Sequence, residues 1–288
     1  DIKGLFDNIR HDLLLKAVEK HVANGSQIQG QDLSWLTFYI KRWLVSPLQQ
    51  DDGNIILRDR GTPQGGVVSP LLANLFLHYV FDKWMQREFP ENPWCRYADD
   101  GLVHAITKGK AESLYERIKR RLEECGLELH PEKTKIIYCK DDKRKGTYLH
   151  TSFDFLGYTF RQRRCRKCSD NTFFNSFIPA VSMMAMKAMR RRIRELKIRQ
   201  KSYYSLEELS RWLNPIVQGW ISYYGQYCRS ALDPVFRHIN KTLVRWARRK
   251  FKTLKRHKSR TIGLFDRLSV KCPKLFAHWR FGSARTFA

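Results

Sequence analysis

The sequence predicts an α+β first half joined to an all-α, strongly basic second half. Three observations predict it. Short apolar runs alternate with helical patterns up to about residue 160; helical periodicity dominates after 180; and the charge is divided unequally. Residues 1–150 hold 23 Lys+Arg against 21 Asp+Glu, whereas 151–288 hold 31 against 7. A near-neutral body followed by such an excess fits a catalytic part and a polyanion-gripping part. The whole chain of 288 residues carries +26, far beyond what solubility requires. With 42% hydrophobic and 13% aromatic residues there is enough apolar matter for a packed core. No apolar run reaches the 18 residues of a membrane span, and no amphipathic anchor stands apart. Seven scattered cysteines fit a reducing compartment, read as bacterial cytoplasm with an organelle as the alternative.

Taken in order, residues 1–6 read as the end of a strand. Residues 8–22 read as a helix with Leu14, Ala17, Val18 and His21 near one face. Residues 50–54 form a turn between short apolar runs able to pair as a hairpin. A glycine-rich loop at 61–66 leads into an apolar helix at 71–85. A second hairpin is expected at 95–104, with Ala98-Asp99-Asp100-Gly101 at its tip. An amphipathic helix follows at 111–125, with Leu114, Ile118, Leu122 and Cys125 on one face and Gly126 as its cap. Strands are expected at 136–138 and 153–160, and a connecting hairpin over 161–180.

Three helices are then predicted. Met186, Met189, Ile193 and Leu196 line the first. Ser205 and Glu208 have capping-box spacing at the start of the second. Asp233 and Pro234 suit the N-cap and first position of the third. On the third, Val235, Ile239, Leu243 and Trp246 share one side. Arg237, Lys241, Arg245 and Arg248 share another, and with Arg190 and Arg191 they suggest an RNA-facing surface. Residues 250–260 are basic and weakly patterned, as expected of a segment ordered only on RNA. Residues 263–288 read as a basic C-terminal tail.

Two adjacent acids at a hairpin tip repel each other. With Cys95, Tyr97, Leu102 and Val103 flanking them, they read as the end of a buried ribbon, where carboxylates are costly unless a cation meets them. Magnesium takes oxygen ligands and bridges carboxylates to substrate phosphates. Asp1, five residues before the aromatic Phe6, is a further carboxylate for such a centre.

At this point a family resemblance becomes specific. Asp1-Ile2-Lys3-Gly4-Leu5-Phe6 resembles the first catalytic motif of reverse transcriptases. Residues 61–74, Gly-Thr-Pro-Gln-Gly-Gly-Val-Val-Ser-Pro-Leu-Leu-Ala-Asn, resemble the loop–helix motif that follows it. Tyr97-Ala98-Asp99-Asp100 matches the metal-binding tetrad, and residues 126–135 resemble the next motif. Residues 205–209 and 213–224 resemble the thumb, or maturase domain, of group II intron proteins.

The resemblance implies a right-hand polymerase: a palm with incomplete fingers over 1–160, then an α-helical thumb/maturase domain over 181–262. It implies RNA-directed DNA synthesis with two Mg2+ ions held at Asp1, Ile2, Asp99 and Asp100, and with dNTP substrates. Phe6 would lie under the sugar and exclude a 2′-hydroxyl. Gln64, Gly65 and Gly66 would approach the nascent pair. Lys133, or failing it Lys135, would protonate pyrophosphate. Phe155, Leu156, Gly157 and Tyr158 would form the primer grip. The implied partners are intron RNA, as template and splicing substrate, and a DNA primer or target.

Two other readings stay open: an RNA-binding splicing cofactor with an idle polymerase, or a related enzyme of a CRISPR or defence system. A sequence that starts at Asp1 reads as a piece without the family's fingers, expected to be weak or inactive by itself. It shows no histidine-rich nuclease segment. Tyr223 and Tyr224 suit base stacking or thumb packing, with packing favoured. Cys165-Arg166-Lys167-Cys168 is half a zinc site without a second pair, so zinc is not expected.

Overall fold

The computed structural model describes residues 1–29, 32–49, 52–63, 65–144, 146–167, 169–281 and 287. The chain divides into two compact units, 1–136 and 137–288. The division falls earlier than residue 160 because the strands after 151 join the second unit.

In the first unit, β1 (Ile2–Lys3) is two residues long rather than six. Gly4 turns into the left-handed region at φ 54° and starts α1 (Leu5–Asn8). The chain extends at Ile9, so the helix expected from residue 8 begins later and runs further, as α2 (His11–Gln29). Leu14, Ala17 and Val18 are buried there. His21 is exposed and meets the Tyr79 ring edge-on at 5.6 Å. After α3 (Ser34–Val45), β2 (Leu48–Gln49) and β3 (Ile55–Ile56) pair antiparallel as expected.

The apolar helix is real but interrupted. α4 (Ser69–Leu77) passes through a π-helical turn, His78–Asp82, into α5 (Lys83–Glu88). β4 (Trp94–Tyr97) and β5 (Asp100–Val103) form the acid-bearing hairpin. α6 (Lys108–Glu124) starts three residues earlier than predicted because Thr107 caps it, and Gly126 follows its end at φ 81°. No strand occupies 136–138. β6 (Glu128–Leu129) pairs instead with β1, Ile2 opposite Leu129. The core gathers Ile2, Leu5, Ile9, Leu14, Phe76, Leu77 and Leu122.

In the second unit, the strand expected at 153–160 is a hairpin. β7 (Ser152–Phe155) and β8 (Tyr158–Arg166) meet across Leu156 and Gly157, and β8 pairs along its length with β9 (Phe173–Val181). Leu156 at φ 49° and Gly157 at φ 78° give the two positive φ angles of a type I′ turn. α7 (Met183–Glu195) buries Met189 and Ile193. α8 (Leu206–Tyr224) carries both capping-box bonds and buries Leu209, Leu213, Val217 and Ile221 at four-residue spacing. α9 (Asp233–Lys250) follows a 3-10 turn, so Leu232 and not Asp233 precedes it; Pro234 stands in its first turn. Val235, Ile239, Leu243 and Trp246 are buried as the periodicity requires.

The basic tail is not a tail. α10 (Lys258–Lys271) begins inside the stretch expected to be unstructured. A 3-10 turn at Ala277–Arg280 then places Phe276 and Trp279 at 0% exposure. The Asn214 side chain holds this segment on α8, donating to Leu275 O at 2.9 Å and accepting from Ala277 N at 2.9 Å. Aromatics spaced without helical rhythm build a core that periodicity does not reveal. Trp279→Ala should therefore cost about 3–5 kcal/mol of unfolding free energy, measured by urea denaturation.

His278 lies beside Trp279, its Nε2 2.7 Å from Asn240 Oδ1. Burial lowers its imidazole from 6.5 to about 3. The folded state therefore refuses a proton that the unfolded chain accepts. The stability this leaves intact above pH 6.5 should fall steadily as pH drops toward 3. Urea midpoints between pH 7 and pH 5 should show that slope, and His278→Gln should flatten it.

Candidate active site and nucleic-acid interface

In the first unit, backbone bonds bring distant segments to residue 1. Asp1 O accepts from His130 N at 3.0 Å and from Thr134 Oγ1 at 3.2 Å. The turn after β6 thereby carries Lys133 to the Asp1 carboxylate, Nζ to Oδ2 2.8 Å. Asp1 has an 18% exposed side chain, so this pair is partly shielded from water. Asp100 and Asp99 lie within electrostatic reach of the same residue.

Among the described residues no three acid, His or Cys side chains are gathered as a metal cluster. Carboxylates brought near one another demand positive charge, and here Lys133 supplies it to Asp1. The available donors are hard carboxylate oxygens at the surface, the kind magnesium takes.

The hairpin tip is narrower than the sequence suggests. Tyr97 pairs with Asp100, so only Ala98 and Asp99 form the loop. Nor is the ribbon buried: Cys95 is exposed and Tyr97 is 64% exposed. Ala98 sits at φ 53°, which strains a residue with a Cβ by about 1–2 kcal/mol. Arg96 holds the turn in place. Its Nη1 donates to Ala98 O at 2.8 Å and to Asn74 Oδ1 on α4 at 2.9 Å. Its Nε and Nη2 make a fork on Asp82 at 2.7 and 2.6 Å. Arg96 and Asp82 side chains are only 10% and 14% exposed. The π-helical turn puts Asp82 where this fork can reach it.

The glycine loop is tied to the segment after Asp1. Gly61 N donates to Ile9 O at 2.7 Å, and Thr62 N to Phe6 O at 2.6 Å. Half-buried Phe6 thus lies beside the loop. A Cβ on Gly61 would meet Asp7 O at 2.8 Å and Phe6 O at 2.9 Å, with φ at 81°. Gly61→Ala should accordingly lower the chain's unfolding midpoint and displace the loop, read as faster amide exchange at 6–11 and 61–63. Gly65 stands at φ 80° in open space, and a Cβ on Gly66 would strike Ser69 Oγ at 2.7 Å. Gln64 lies outside the described residues.

In the second unit, the turn that the sequence suggests as a primer grip is clamped by α8. Tyr223 Oη donates to Leu156 O at 3.0 Å, and Tyr158 Oη donates to Tyr223 O. A Cβ on Gly157 would lie 2.6 Å from Tyr224 Oη. Both tyrosines touch this turn; Tyr224 also packs against the helical core, as the packing alternative has it, whereas Tyr223 stays 48% exposed.

Arg237, Lys241 and Arg245 are exposed on α9, with Arg191 exposed and Arg190 half-buried on α7. Arg248 differs from the rest: its Nη2 donates to Lys255 O at 3.1 Å and serves the fold. His238 lies below its usual range, first through burial and then through Arg190, Arg194, Arg245 and Lys241. The cations of the two helices therefore converge on one region. Cys165 is a free thiol in β8, and Cys168 is outside the described residues.

Sequence reasoning misses Arg96, Asn74 and Asp82. The available signal is Asp82 itself, a charge inside an apolar helix, which requires a partner.

The first unit thus carries an acid-tipped hairpin, a lysine on the first aspartate and a glycine loop tied to the segment after it, and its family implies nucleotidyl transfer. Residues 1–160 match the family described as Reverse transcriptase (RNA-dependent DNA polymerase), and the chain belongs to it. Residues 186–262 match the group II intron, maturase-specific domain, which marks the intron-encoded branch. Protein YkfC of Escherichia coli K12 is 29% identical over 198 residues, covering 58% of this chain and 47% of that protein. Group II intron-encoded protein LtrA of Lactococcus lactis is 31% identical over 152 residues, covering 50% and 21%. The chain thus spans about half or less of the length of these relatives.

Proposed function

We propose that the protein is an RNA-directed DNA polymerase of a group II intron that also binds its intron RNA during splicing. The observation that carries this is the contact of Lys133 with the Asp1 carboxylate at 2.8 Å, in a chain whose first 160 residues match the reverse transcriptase family. In this reading the first unit is the palm and the helices of the second form the thumb.

Asp1, Asp99 and Asp100, with Ile2 beside the first, would hold two Mg2+ ions; bound there, the ions would activate the primer 3′-hydroxyl and neutralise the leaving pyrophosphate. Lys133 already holds its ammonium at that carboxylate, so a short swing would deliver a proton to pyrophosphate. Phe6 would press on the incoming sugar and favour dNTPs. The 155–158 turn would hold the DNA primer, and Arg190, Arg191, Arg237, Lys241 and Arg245 would grip template or intron RNA through its phosphates. Arg248 contributes less than the sequence suggests, because it is engaged inside the fold.

The test is primer extension on an RNA template with magnesium and dNTPs, using the intact gene product. Template-dependent DNA is expected; none at any magnesium concentration would refute the polymerase. The idle-polymerase alternative predicts intron binding without extension. No helix among the described residues is long and apolar enough to cross a membrane.

A further inference from the structure

The outer half of the β8–β9 hairpin plays no part in the reading above, and it has the chemistry of an RNA surface. Its inner end is anchored, with Tyr158, Ala180 and Val181 buried. Further out both strands emerge into solvent: Arg164 and Arg166 are exposed on β8, and Phe173 and Phe174 on β9 at 58% and 41%. A two-stranded ribbon is marginal in water, so exposed rings at its end cost stability unless something covers them.

We infer that this ribbon is a single-stranded RNA-binding surface, with Phe173 as a stacking platform and Arg164 and Arg166 as phosphate contacts. Charge complementarity points to this occupant. Residues 158–181 hold five Lys+Arg, four of them on β8, and one acid, Asp170. That acid is already engaged by Lys167 at 3.3 Å and Thr172 at 2.7 Å. Nearby Asp142 is bonded to the main-chain and side-chain amides of Asn175. Arg164 and Arg166 have no carboxylate at ion-pairing distance among the described residues.

The geometry suits unpaired bases. Arg166 pairs across the ladder with Phe173, and Arg164 with Asn175, so Arg164, Arg166 and Phe173 share one face. The Arg164 guanidinium stands over the Phe173 ring, 4.1 Å from its centroid. A flat ring backed by a guanidinium offers a stacking surface to any base, and flanking arginines follow the backbone. Phe174 points to the other face beside Cys165.

This rests on the RNA-binding side of the proposed function but not on polymerase activity. The test is fluorescence anisotropy with the full chain and an unstructured labelled RNA of about 20 nucleotides, long enough for one site. Arg164→Gln and Arg166→Gln together should weaken binding at least tenfold and reduce the salt slope by about 1.4, near 0.7 per lost phosphate. Phe173→Ala should weaken binding about fivefold or more with the slope unchanged. Crosslinking of thiouridine-containing RNA to the unmutated chain needs no variant to fold, and adducts should map to 161–167 or 173–175. Wild-type affinity in both variants, or adducts confined to 183–250, overturns the ribbon as an RNA surface and leaves a protein partner. Wild-type chain without salt-sensitive RNA binding would instead refute the RNA-gripping reading itself.

Discussion

Replacing Asp99 and Asp100 together by asparagine is expected to reduce RNA-templated primer extension by about a thousandfold or more, with RNA affinity unchanged. Amides keep the size of the side chains and remove two formal negative charges. Stabilising the charge that develops in the transition state usually contributes more to such catalysis than any other effect, and loss of one preorganised group costs about 10²–10³. Fold stability should hardly change, because Asp100 is exposed and Asp99 half-exposed at the end of a ribbon. Single-turnover extension at saturating primer–template measures the loss. Retained activity would remove these acids from the mechanism.

Arg96→Leu should be the most damaging single change near the site and should act on both stability and turnover. Leucine fills the space but leaves Asp82 shielded at 14% exposure with its forked partner gone. Breaking such a pair from one side costs about 3–5 kcal/mol when the charge left behind has no other partner; His78 Nδ1, 3.4 Å from Asp82 Oδ2, offsets part of that. It also frees Ala98 O and cuts the side-chain link from the strained tip to Asn74 on α4. Denaturant unfolding measures the first effect. The second is a fall in turnover that persists when the protein is kept folded at low temperature. Arg96→Leu with Asp82→Leu should recover much of the stability, because both charges are gone, but not the turnover, because the Ala98 tether stays broken.

The legible part of this protein is the part governed by period and local capping. Leu209, Leu213, Val217 and Ile221 repeat every four residues, and Ser205 with Glu208 forms its capping box, so α8 can be read directly. The acids of the candidate metal site are legible as motifs but not in their surroundings. That the ribbon behind Asp99 is open on one face depends on which side of β4 meets α4, and alternation alone cannot tell. The π-helical turn carries no pattern of its own, and it is what turns Asp82 toward Arg96. Residues 276–279 read as a tail because their burial comes from a long-range bond to Asn214, not from a repeat. β6 escapes detection because two residues make no signal; only β1, more than a hundred positions away, makes it a strand.

The bonds that gather the site in the first unit run largely between peptide groups: Gly61 to Ile9, Thr62 to Phe6, His130 to Asp1. Every amino acid except proline brings the same amide and carbonyl. Random mutation can therefore rewrite most neighbouring side chains without erasing these joints, and a lineage can drift far in spelling while its chemistry stays assembled. Intolerance should concentrate where the main chain itself is altered: a proline at 62 or 130, or any side chain at 61.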